Sequence, residues 1–232
     1  MKKFLVVTSI TNGKDDLVDP PMVFDNCDYI AFVDKKYDVN VWEQRDVLKF
    51  STIDNFTDRR NAKPYKILCS LMFPPYEYII WEDGNHQLKV DPQTIIDEYG
   101  SDIDVLVFKH PDRTCLYQEM GACAQWGLDY KENLENQFRF YKSKGVPENF
   151  GLFEMSTFIV KNTNAVKELQ LMWWEQISKF SSRDQISFAY CLWKMKDKIK
   201  KKRLKGYANL ITMKGNLGGN IYFEDQGKHK KY

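Results

Sequence analysis

The sequence predicts a single α/β domain whose mixed, mostly parallel β-sheet is flanked by helices. Two patterns carry this prediction: short runs of consecutive apolar residues bounded by turn residues, and longer amphipathic stretches that alternate with them. Strands that are buried on both faces of a parallel sheet are continuously apolar, and strands that alternate with helices are typical of α/β domains. A chain of 232 residues is long enough for one such domain, and we expect residues 1–212 to form it.

Five apolar runs are predicted to be strands. Phe4–Ile10 follows two lysines, and because its apolar part is shorter than the core of a signal peptide, it is better explained as a first strand. The other four predicted strands are Tyr29–Val33, Tyr78–Trp81, Val105–Phe108 and Thr157–Val160.

Six amphipathic stretches between and after these strands are predicted to be helices. The first stops before the Pro74-Pro75 pair, and the second has Asp91 as its expected N-cap and Pro92 at its first helical position. The predicted helices are Ala62–Met72, Pro92–Tyr99, Tyr117–Gly127, Lys131–Lys144, Asn164–Lys179 and Arg183–Lys198.

The overall charge and the cysteines limit the class of protein. A net charge of +2 gives the whole molecule no strong preference for nucleic acid or membranes, although residues 194–205 contain eight basic side chains and one acidic side chain. Such a run is either a solvated helix face or a patch that binds an anionic partner. No stretch approaches the roughly 18 apolar residues of a membrane span, so no transmembrane segment is expected.

Five scattered cysteines without a C-x-x-C pair predict reduced thiols and a cytoplasmic protein.

The strongest local pattern for chemistry follows the third predicted strand, where Glu82, Asp83, Gly84 and Asn85 come directly after Trp81. Ligands of open α/β sheets bind at the carboxyl ends of the strands, which makes these residues candidates for a site. A carboxylate beside a glycine suits a divalent cation on a diphosphate, because Mg²⁺ and Mn²⁺ prefer hard oxygen ligands. The alternative is that Asp83-Gly84 is only a turn.

Basic side chains precede this strand along a predicted helix. Arg59, Arg60, Lys63 and Lys66 are spaced along its beginning, where a helix N-terminus already favours anions. They predict a phosphate-binding face, and the alternative is a solvated basic face.

Two further polar segments are candidates for a site. Ser181 or Ser182 could cap the helix that follows, or Asp184 could accept a proton from, or hydrogen-bond to, an acceptor hydroxyl. His110 follows the strand that ends at Phe108; a lone histidine is more often structural, but this position adds weight to a binding role.

Seven segments in order along the chain, from about residue 4 to residue 190, form one larger pattern. They are Asp28–Asp34, Arg59–Lys63 with Lys66, Trp81–Gly84, His110–Cys115 with Tyr117 and Glu119, Glu154, Trp173–Glu175, and Arg183–Phe188. The pattern resembles a family of glycosyltransferase-like domains of plants, bacteria and viruses that was long catalogued as a domain of unknown function. Each segment is weak alone, and the specificity comes from finding all seven in register.

The resemblance implies a GT-A fold, a Rossmann-like α/β fold in which a D-x-D motif after a strand holds Mn²⁺ or Mg²⁺. The aligned positions here are Asp83-Gly84-Asn85, so an amide replaces the second carboxylate, and Glu82 or His229 would complete the metal set. The implied metal ligands are therefore Asp83, Asn85 and His229. The resemblance also implies that Asp34 lies near the base or ribose, that Asp184 and Gln185 lie near the acceptor, and that Glu154 lines the acceptor side of the sugar. The predicted donor-binding residues are Asp34, Thr8, Arg60, Lys63, Lys66, His110 and Gln185.

The predicted function is that of a hexosyl- or pentosyltransferase that moves a sugar from a nucleotide-diphosphate sugar to an acceptor hydroxyl with help from a divalent metal. Glycosyl transfer passes through an oxocarbenium-like transition state while the diphosphate leaves. Lys63, Lys66 and the ion at Asp83 are expected to stabilise the leaving group. Asp184 is expected to position the acceptor, and in an inverting reaction Asp184 or Glu154 would be the base. The acceptor is a glycan, lipid, protein or modified DNA base, and residues 194–205 favour a large anionic one.

Two alternatives come from other classes. The first is a non-catalytic module that binds a sugar or nucleotide and docks on an anionic polymer, which Asn85 in place of an acid favours. A nucleotidyltransferase ranks last, because Thr8–Gly13 is a poor version of a glycine-rich phosphate loop. Residues 213–232, rich in glycine and lysine, are expected to form a lid over the diphosphate or a flexible tail.

Overall fold

The computed structural model describes residues 2–48, 57–205, 210–213, 220–223 and 228–231. A seven-stranded sheet forms the centre of the domain, and two shorter pairs of strands accompany it. The strands are β1 (Phe4–Ile10), β2 (Cys27–Val33), β3 (Glu43–Asp46), β4 (Tyr78–Glu82), β5 (His86–Leu88), β6 (Val105–Lys109), β7 (Phe153–Lys161), β8 (Lys201–Leu204), β9 (Ile211–Met213), β10 (Asn220–Phe223) and β11 (Lys228–Lys231).

The sheet is mixed and mostly parallel, as predicted. Its strand order is β3-β2-β1-β4-β7-β6-β8. Neighbouring strands are parallel except at β7, which is antiparallel to both β4 and β6. Because β7 runs the opposite way, its first residues lie at the same edge of the sheet as the last residues of β1 and β4. Glu154, the second residue of β7, is therefore carried to the edge where ligands of such sheets bind.

Helices cover both faces of the sheet. Alternation along β1 sends Leu5 and Val7 into one buried cluster and Phe4 and Val6 into the other, which is expected of a strand between two layers. The first cluster also contains Trp173 of the long helix α6. The helices are α1 (Thr57–Ile67), α2 (Cys69–Met72), α3 (Pro92–Tyr99), α4 (Leu116–Gln125), α5 (Lys131–Ser143), α6 (Asn164–Lys179) and α7 (Asp184–Lys194).

Two predicted helices differ from the observed ones. The helix predicted at Ala62–Met72 begins at Thr57 and is interrupted at Leu68, so that it forms α1 and α2. Its polar first turn lacks the apolar spacing from which a helix start is predicted. The last predicted helix ends at Lys194 rather than Lys198.

The interpretation of residues 194–205 as a helix face is wrong. Residues 201–204 form β8, an edge strand of the sheet, in which Lys202 and Arg203 are exposed. Charged side chains on an edge strand prevent it from pairing with other chains, which is a sufficient reason for such a run. The predicted capping by Ser181 or Ser182 is also wrong, because Arg183 is the N-cap residue of α7 and its first turn has no side-chain cap. Both serine hydroxyls instead donate to the Asp129 carboxylate.

The five cysteines are buried, unpaired thiols. Across the described ranges, no helix combines the length and the apolar character needed to cross a membrane. In the C-terminal part, β9 pairs with β5, and β10 pairs with β11. The predicted boundary between residues 212 and 213 thus falls inside β9, and the role of residues 213–232 as a lid or tail stays a prediction.

Candidate active site

A cleft of about 440 Å³ lies at the edge of the sheet where β1 and β4 end and β7 begins. Helix α1 and the first turn of α7 complete its walls. Ligands of open α/β sheets bind at this edge, so the cleft is the candidate site. Its lining is provided by Ser9–Thr11 at the end of β1, Asp83–Asn85 after β4, Glu154–Ser156 of β7, Arg183–Gln185 at α7, and Arg59, Lys63 and Lys66 of α1.

Helical geometry decides which basic residues of α1 face the cleft. Arg59, Lys63 and Lys66 are four and three residues apart, so they share one face of the helix, and all three line the cleft. Arg60 is rotated by about 100° from Arg59. Its guanidinium instead donates to the carbonyl groups of Ile177 and Phe180, at 3.2 and 3.4 Å, at the end of α6. The structure therefore does not bring Arg60 into the predicted donor site.

Two buried lysines share one carboxylate in the cleft. The Nζ atoms of Lys63 and Lys66 lie 2.6 and 2.7 Å from the same Oδ2 atom of Asp184. Lys66 Nζ also lies 3.0 Å from Oδ1 of Asp83. The side chains of Lys63, Lys66 and Asp184 are only 13%, 4% and 8% exposed, so water screens these contacts weakly.

This arrangement keeps Asp184 ionised. Burial alone would raise the pKa of the Asp184 carboxyl, but the ammonium groups of Lys63 and Lys66 hold that pKa well below its ordinary value. Burial lowers the pKa of Lys63 to about 8, against the opposing effect of Asp184. For Lys66, the carboxylates of Asp184 and Asp83 together outweigh burial and raise the pKa. All three groups are therefore mainly charged at neutral pH, and Asp184 is a poor proton acceptor.

Glu154 has the opposite character. Its Oε1 accepts the Ser156 backbone N–H at 3.1 Å, and its Oε2 faces the Gln185 amide nitrogen at 3.4 Å. Burial, followed by the negative charge of Asp83, raises the pKa of Glu154 to about 7. A carboxylate with such a pKa is able to take up a proton at neutral pH, which is what a general base requires.

The turn after β4 is closed by the backbone and needs its glycine. The His86 backbone N–H donates to the Asp83 carbonyl at 2.8 Å. A Cβ atom on Gly84 would lie 2.8 Å from Cγ1 of Ile10 and 3.0 Å from Cβ of Asp15, closer than packed atoms approach. Asp83-Gly84 is thus a turn and also a wall of the cleft, and the glycine lets the segment after β1 approach it.

At the predicted metal position, one carboxylate oxygen of Asp83 and the amide oxygen of Asn85 already have other partners. Oδ1 of Asp83 accepts from Trp81 Nε1 at 2.7 Å in addition to Lys66 Nζ. The amide oxygen of Asn85 contacts Nδ1 of His86. Burial lowers the pKa of His86 to about 4, so its imidazole is neutral.

The other predicted metal ligands do not complete a set. Glu82 is buried and its Oε1 accepts the Leu88 backbone N–H at 2.7 Å, away from the cleft. The side chain of His229 lies outside the described residues. Within the part of the chain that the structure describes, no three His, Cys, Asp or Glu side chains are grouped to hold a metal ion. Where the implied D-x-D motif has two carboxylates, the described residues supply one, that of Asp83, beside the neutral amide of Asn85.

The remaining predicted donor-binding residues lie beside the cleft rather than in it. The Asp34 carboxylate follows β2 and accepts the Asn12 backbone N–H after β1. Thr8 is buried within β1, one residue before the lining begins. His110 is buried, and its Nδ1 accepts the backbone N–H groups of Asp112 and Arg113 at 3.2 and 3.1 Å, which is a structural role in a turn.

Comparison with known proteins identifies the family of the chain. The model of the TOD1/MUCI70 glycosyltransferase-like domain matches residues 3–210. The chain belongs to this family. The probable hexosyltransferase MUCI70 of Arabidopsis thaliana is 28% identical over 141 residues, 56% of this chain and 24% of the relative. The alkaline ceramidase TOD1 of the same plant is 22% identical over 177 residues, 71% of this chain and 38% of the relative.

This TOD1/MUCI70 domain therefore spans well under half the length of both curated relatives. Its fold is that of the GT-A glycosyltransferases. Among solved structures, the bifunctional glycosyltransferase WbbM is similar in fold, with a TM-score of 0.51 and 10% identity over 88% of this chain and 39% of that one.

Sequence reasoning missed several lining residues of this TOD1/MUCI70 domain. Lys14 and Asp15 follow β1 and line the cleft, and Arg183 lines it at the start of α7. Lys14 and Asp15 could have been predicted, because they come within five residues of the carboxyl end of the first predicted strand. Arg183 was part of the resemblance, but its sequence context does not separate it from an ordinary residue at a helix start.

Proposed function

We propose that this domain transfers a sugar from a nucleotide-diphosphate sugar to an acceptor hydroxyl within the cleft. The observation that carries the proposal is the pairing of two chemically different groups in one cleft. One is the pair of buried ammonium groups, Lys63 and Lys66, and the other is the buried carboxyl group of Glu154. Transfer from such a donor needs both a stabilised leaving group and a proton acceptor.

Lys63 and Lys66 stabilise the leaving diphosphate in this proposal. Negative charge grows on the diphosphate as the bond to the sugar breaks, and fixed cations in a site with little water stabilise that charge strongly. Asp184 holds both ammonium groups through one oxygen atom, so it positions them before the donor binds. Asp184 is thereby assigned a positioning role rather than that of a base.

Glu154 accepts the proton of the acceptor hydroxyl in this proposal. Of the two predicted bases, Asp184 is held ionised by two lysines, whereas the pKa of Glu154, at about 7, is matched to proton transfer at neutral pH. A base that acts on the acceptor in a single displacement, with no covalent intermediate, gives inversion at the anomeric carbon. The Gln185 amide, 3.4 Å from Oε2, orients the carboxylate.

The donor sugar and the acceptor are proposed only by class. The name of the MUCI70 relative supports a hexose as the transferred sugar. We propose a glycan acceptor, while lipid, protein and modified DNA remain candidates to be screened. The basic edge strand β8 lies two strands beyond β7, so it is a docking surface for an anionic acceptor only if that acceptor extends well beyond the cleft.

The name of the second relative suggests a different reaction, the hydrolysis of ceramide. The lining of the cleft argues against it, because charged side chains from α1, β4, β7 and α7 dominate its walls. The two hydrocarbon chains of a ceramide need an apolar channel. An apolar groove does exist between α4 and α5, lined by Met120, Leu134 and Phe138, but it does not share a lining residue with the charged cleft.

The experiment that tests the proposal is a turnover assay with a panel of UDP-, GDP-, CDP- and ADP-sugars. Released nucleoside diphosphate is measured with and without a panel of oligosaccharide acceptors, and the variant Glu154→Gln sets the background rate. We expect release from one class of donor that rises when a suitable acceptor is added. Saturable nucleotide binding without any release would instead identify a non-catalytic module, and release of fatty acid from ceramide would identify a ceramidase.

A further inference from the structure

We infer that the cleft binds the donor's diphosphate through Lys63 and Lys66 and needs no divalent cation to do so. This inference rests on the proposed function and concerns how the same site holds its donor. It departs from the metal dependence that the D-x-D resemblance implies. Three features of the cleft support it: the partners of Asp83, the side chain at position 85, and the hydrogen-bonding capacity of the two lysines.

The first feature is that a cation already occupies the carboxylate that a metal ion would use. Lys66 Nζ lies 3.0 Å from Oδ1 of Asp83, and Trp81 Nε1 donates to the same oxygen at 2.7 Å. A divalent ion on Asp83 would lie beside the buried ammonium group of Lys66, which is only 4% exposed. The Asp83 side chain is 41% exposed, and an ion on its second oxygen, Oδ2, would be repelled by the ammonium group fixed at the first.

The second feature is that position 85, where the D-x-D motif has its second carboxylate, adds no negative charge. Asn85 is neutral, and its amide oxygen contacts Nδ1 of His86. Asp15 is another acid of the lining on this side, and its Cβ lies 3.0 Å from the place that a Gly84 Cβ would take. Of the described residues that line the cleft, five are cationic and four are acidic. The lining therefore has no excess of negative charge that would favour a metal ion over a diphosphate anion.

The third feature is that the two lysines keep hydrogen-bond donors for a ligand. An ammonium group has three N–H donors. Among the described residues, Lys63 has one acceptor, Asp184, and Lys66 has two, Asp184 and Asp83. Asp184 and Asp83 balance the charges of these two ammonium groups, and the lining as a whole has one more cationic residue than acidic ones. A diphosphate is an anion that matches both this charge and the remaining donors.

The test is calorimetric titration of the whole chain with UDP, GDP, CDP and ADP, first in EDTA and then in Mn²⁺. We expect one nucleotide to bind with dissociation constants that agree within about twofold in the two buffers. Lys63→Gln is expected to weaken that binding by about tenfold or more in EDTA. Lys179→Gln, which removes an exposed lysine of α6 paired with Glu175, serves as the matched control and should bind as the wild type does.

Each outcome separates this inference from the proposed function. Wild-type binding that appears only in Mn²⁺ would overturn the inference but would not contradict the proposed transferase function. If that Mn²⁺-dependent binding were lost in Asp15→Asn, the metal would be placed at Asp15 and Asp83. Unchanged affinity of a folded Lys63→Gln in EDTA would also overturn it. If Lys63→Gln fails to fold, the comparison of EDTA with Mn²⁺ on the wild type still decides. Absence of nucleotide binding in both buffers would overturn the proposed function as well.

Discussion

Replacing Asp184 with asparagine is expected to lower the free energy of unfolding by about 3–5 kcal/mol, because it leaves buried charges without their partner. Two ammonium groups, those of Lys63 and Lys66, converge on one oxygen of Asp184 with little exposure to water. An amide cannot neutralise them. Lys66 retains Asp83, so Lys63 is the group left without a counter-charge. Urea unfolding of the purified variant measures the loss.

A matched control distinguishes this effect from a general effect of removing an acid. Asp102 is an exposed residue paired with Lys200, and Asp102→Asn is expected to change the stability by less than about 0.5 kcal/mol. The double variant Asp184→Asn with Lys63→Met removes the stranded charge and is expected to regain part of the loss. Equal stability of Asp184→Asn and Asp102→Asn would contradict the account of the lysine cluster.

Replacing Glu154 with glutamine is expected to reduce turnover by about 10²–10⁴-fold, the usual contribution of a general base. The glutamine keeps the shape of the side chain, and its amide oxygen still accepts the Ser156 N–H. A flip of the Gln185 amide lets that residue accept from the new NH2 group, so the folded structure should persist. Since only the ionised form of Glu154 accepts a proton, the wild-type rate should increase with pH through about 7. The rate of nucleoside diphosphate release from pH 5 to pH 9 measures both effects.

Glu154→Gln is also expected to raise the free energy of unfolding at alkaline pH. Burial, and then Asp83, raises the pKa of Glu154 from 4.5 in the unfolded chain to about 7. Because the folded protein holds the proton on Glu154 more tightly than the unfolded chain does, this group's contribution to the free energy of unfolding is fully present below pH 4.5. That contribution is lost as the pH rises through about 7. Glu154→Gln should thus be more stable than the wild type at pH 8, by up to about 3 kcal/mol, and similar to it at pH 4.5. Lower stability of the variant at pH 8 would contradict the assignment.

Most of the fold could be predicted from local patterns. The bounds of β1, α3 and α6 agree with those predicted, because a continuous apolar run or a capped amphipathic stretch has a clear beginning and end. The strands β3 and β8 were missed for the opposite reason. Both contain charged, largely exposed side chains at an edge of the sheet, where pairing rather than hydrophobic burial determines the structure.

The location of the site could be predicted from the sequence, but the contacts between its side chains could not. The rule that ligands bind at the carboxyl ends of strands located Asp83, and helical spacing accounts for Lys63 and Lys66 facing the same way. Their shared partner, Asp184, is 121 residues from Lys63 in the chain, and no local pattern indicates that contact. Polar residues that bind backbone groups, such as His110, are indistinguishable from ligand-binding ones until the fold is known.

The most direct test of the central claim is a crystal structure of the chain with the nucleoside diphosphate that binds best in calorimetry. We expect the diphosphate to lie within hydrogen-bonding distance of Lys63 Nζ, between the turn at Asp83 and the start of α7. Glu154 should then face the space for the sugar. A nucleotide bound elsewhere on the domain, or a diphosphate that does not contact Lys63 or Lys66, would contradict that claim.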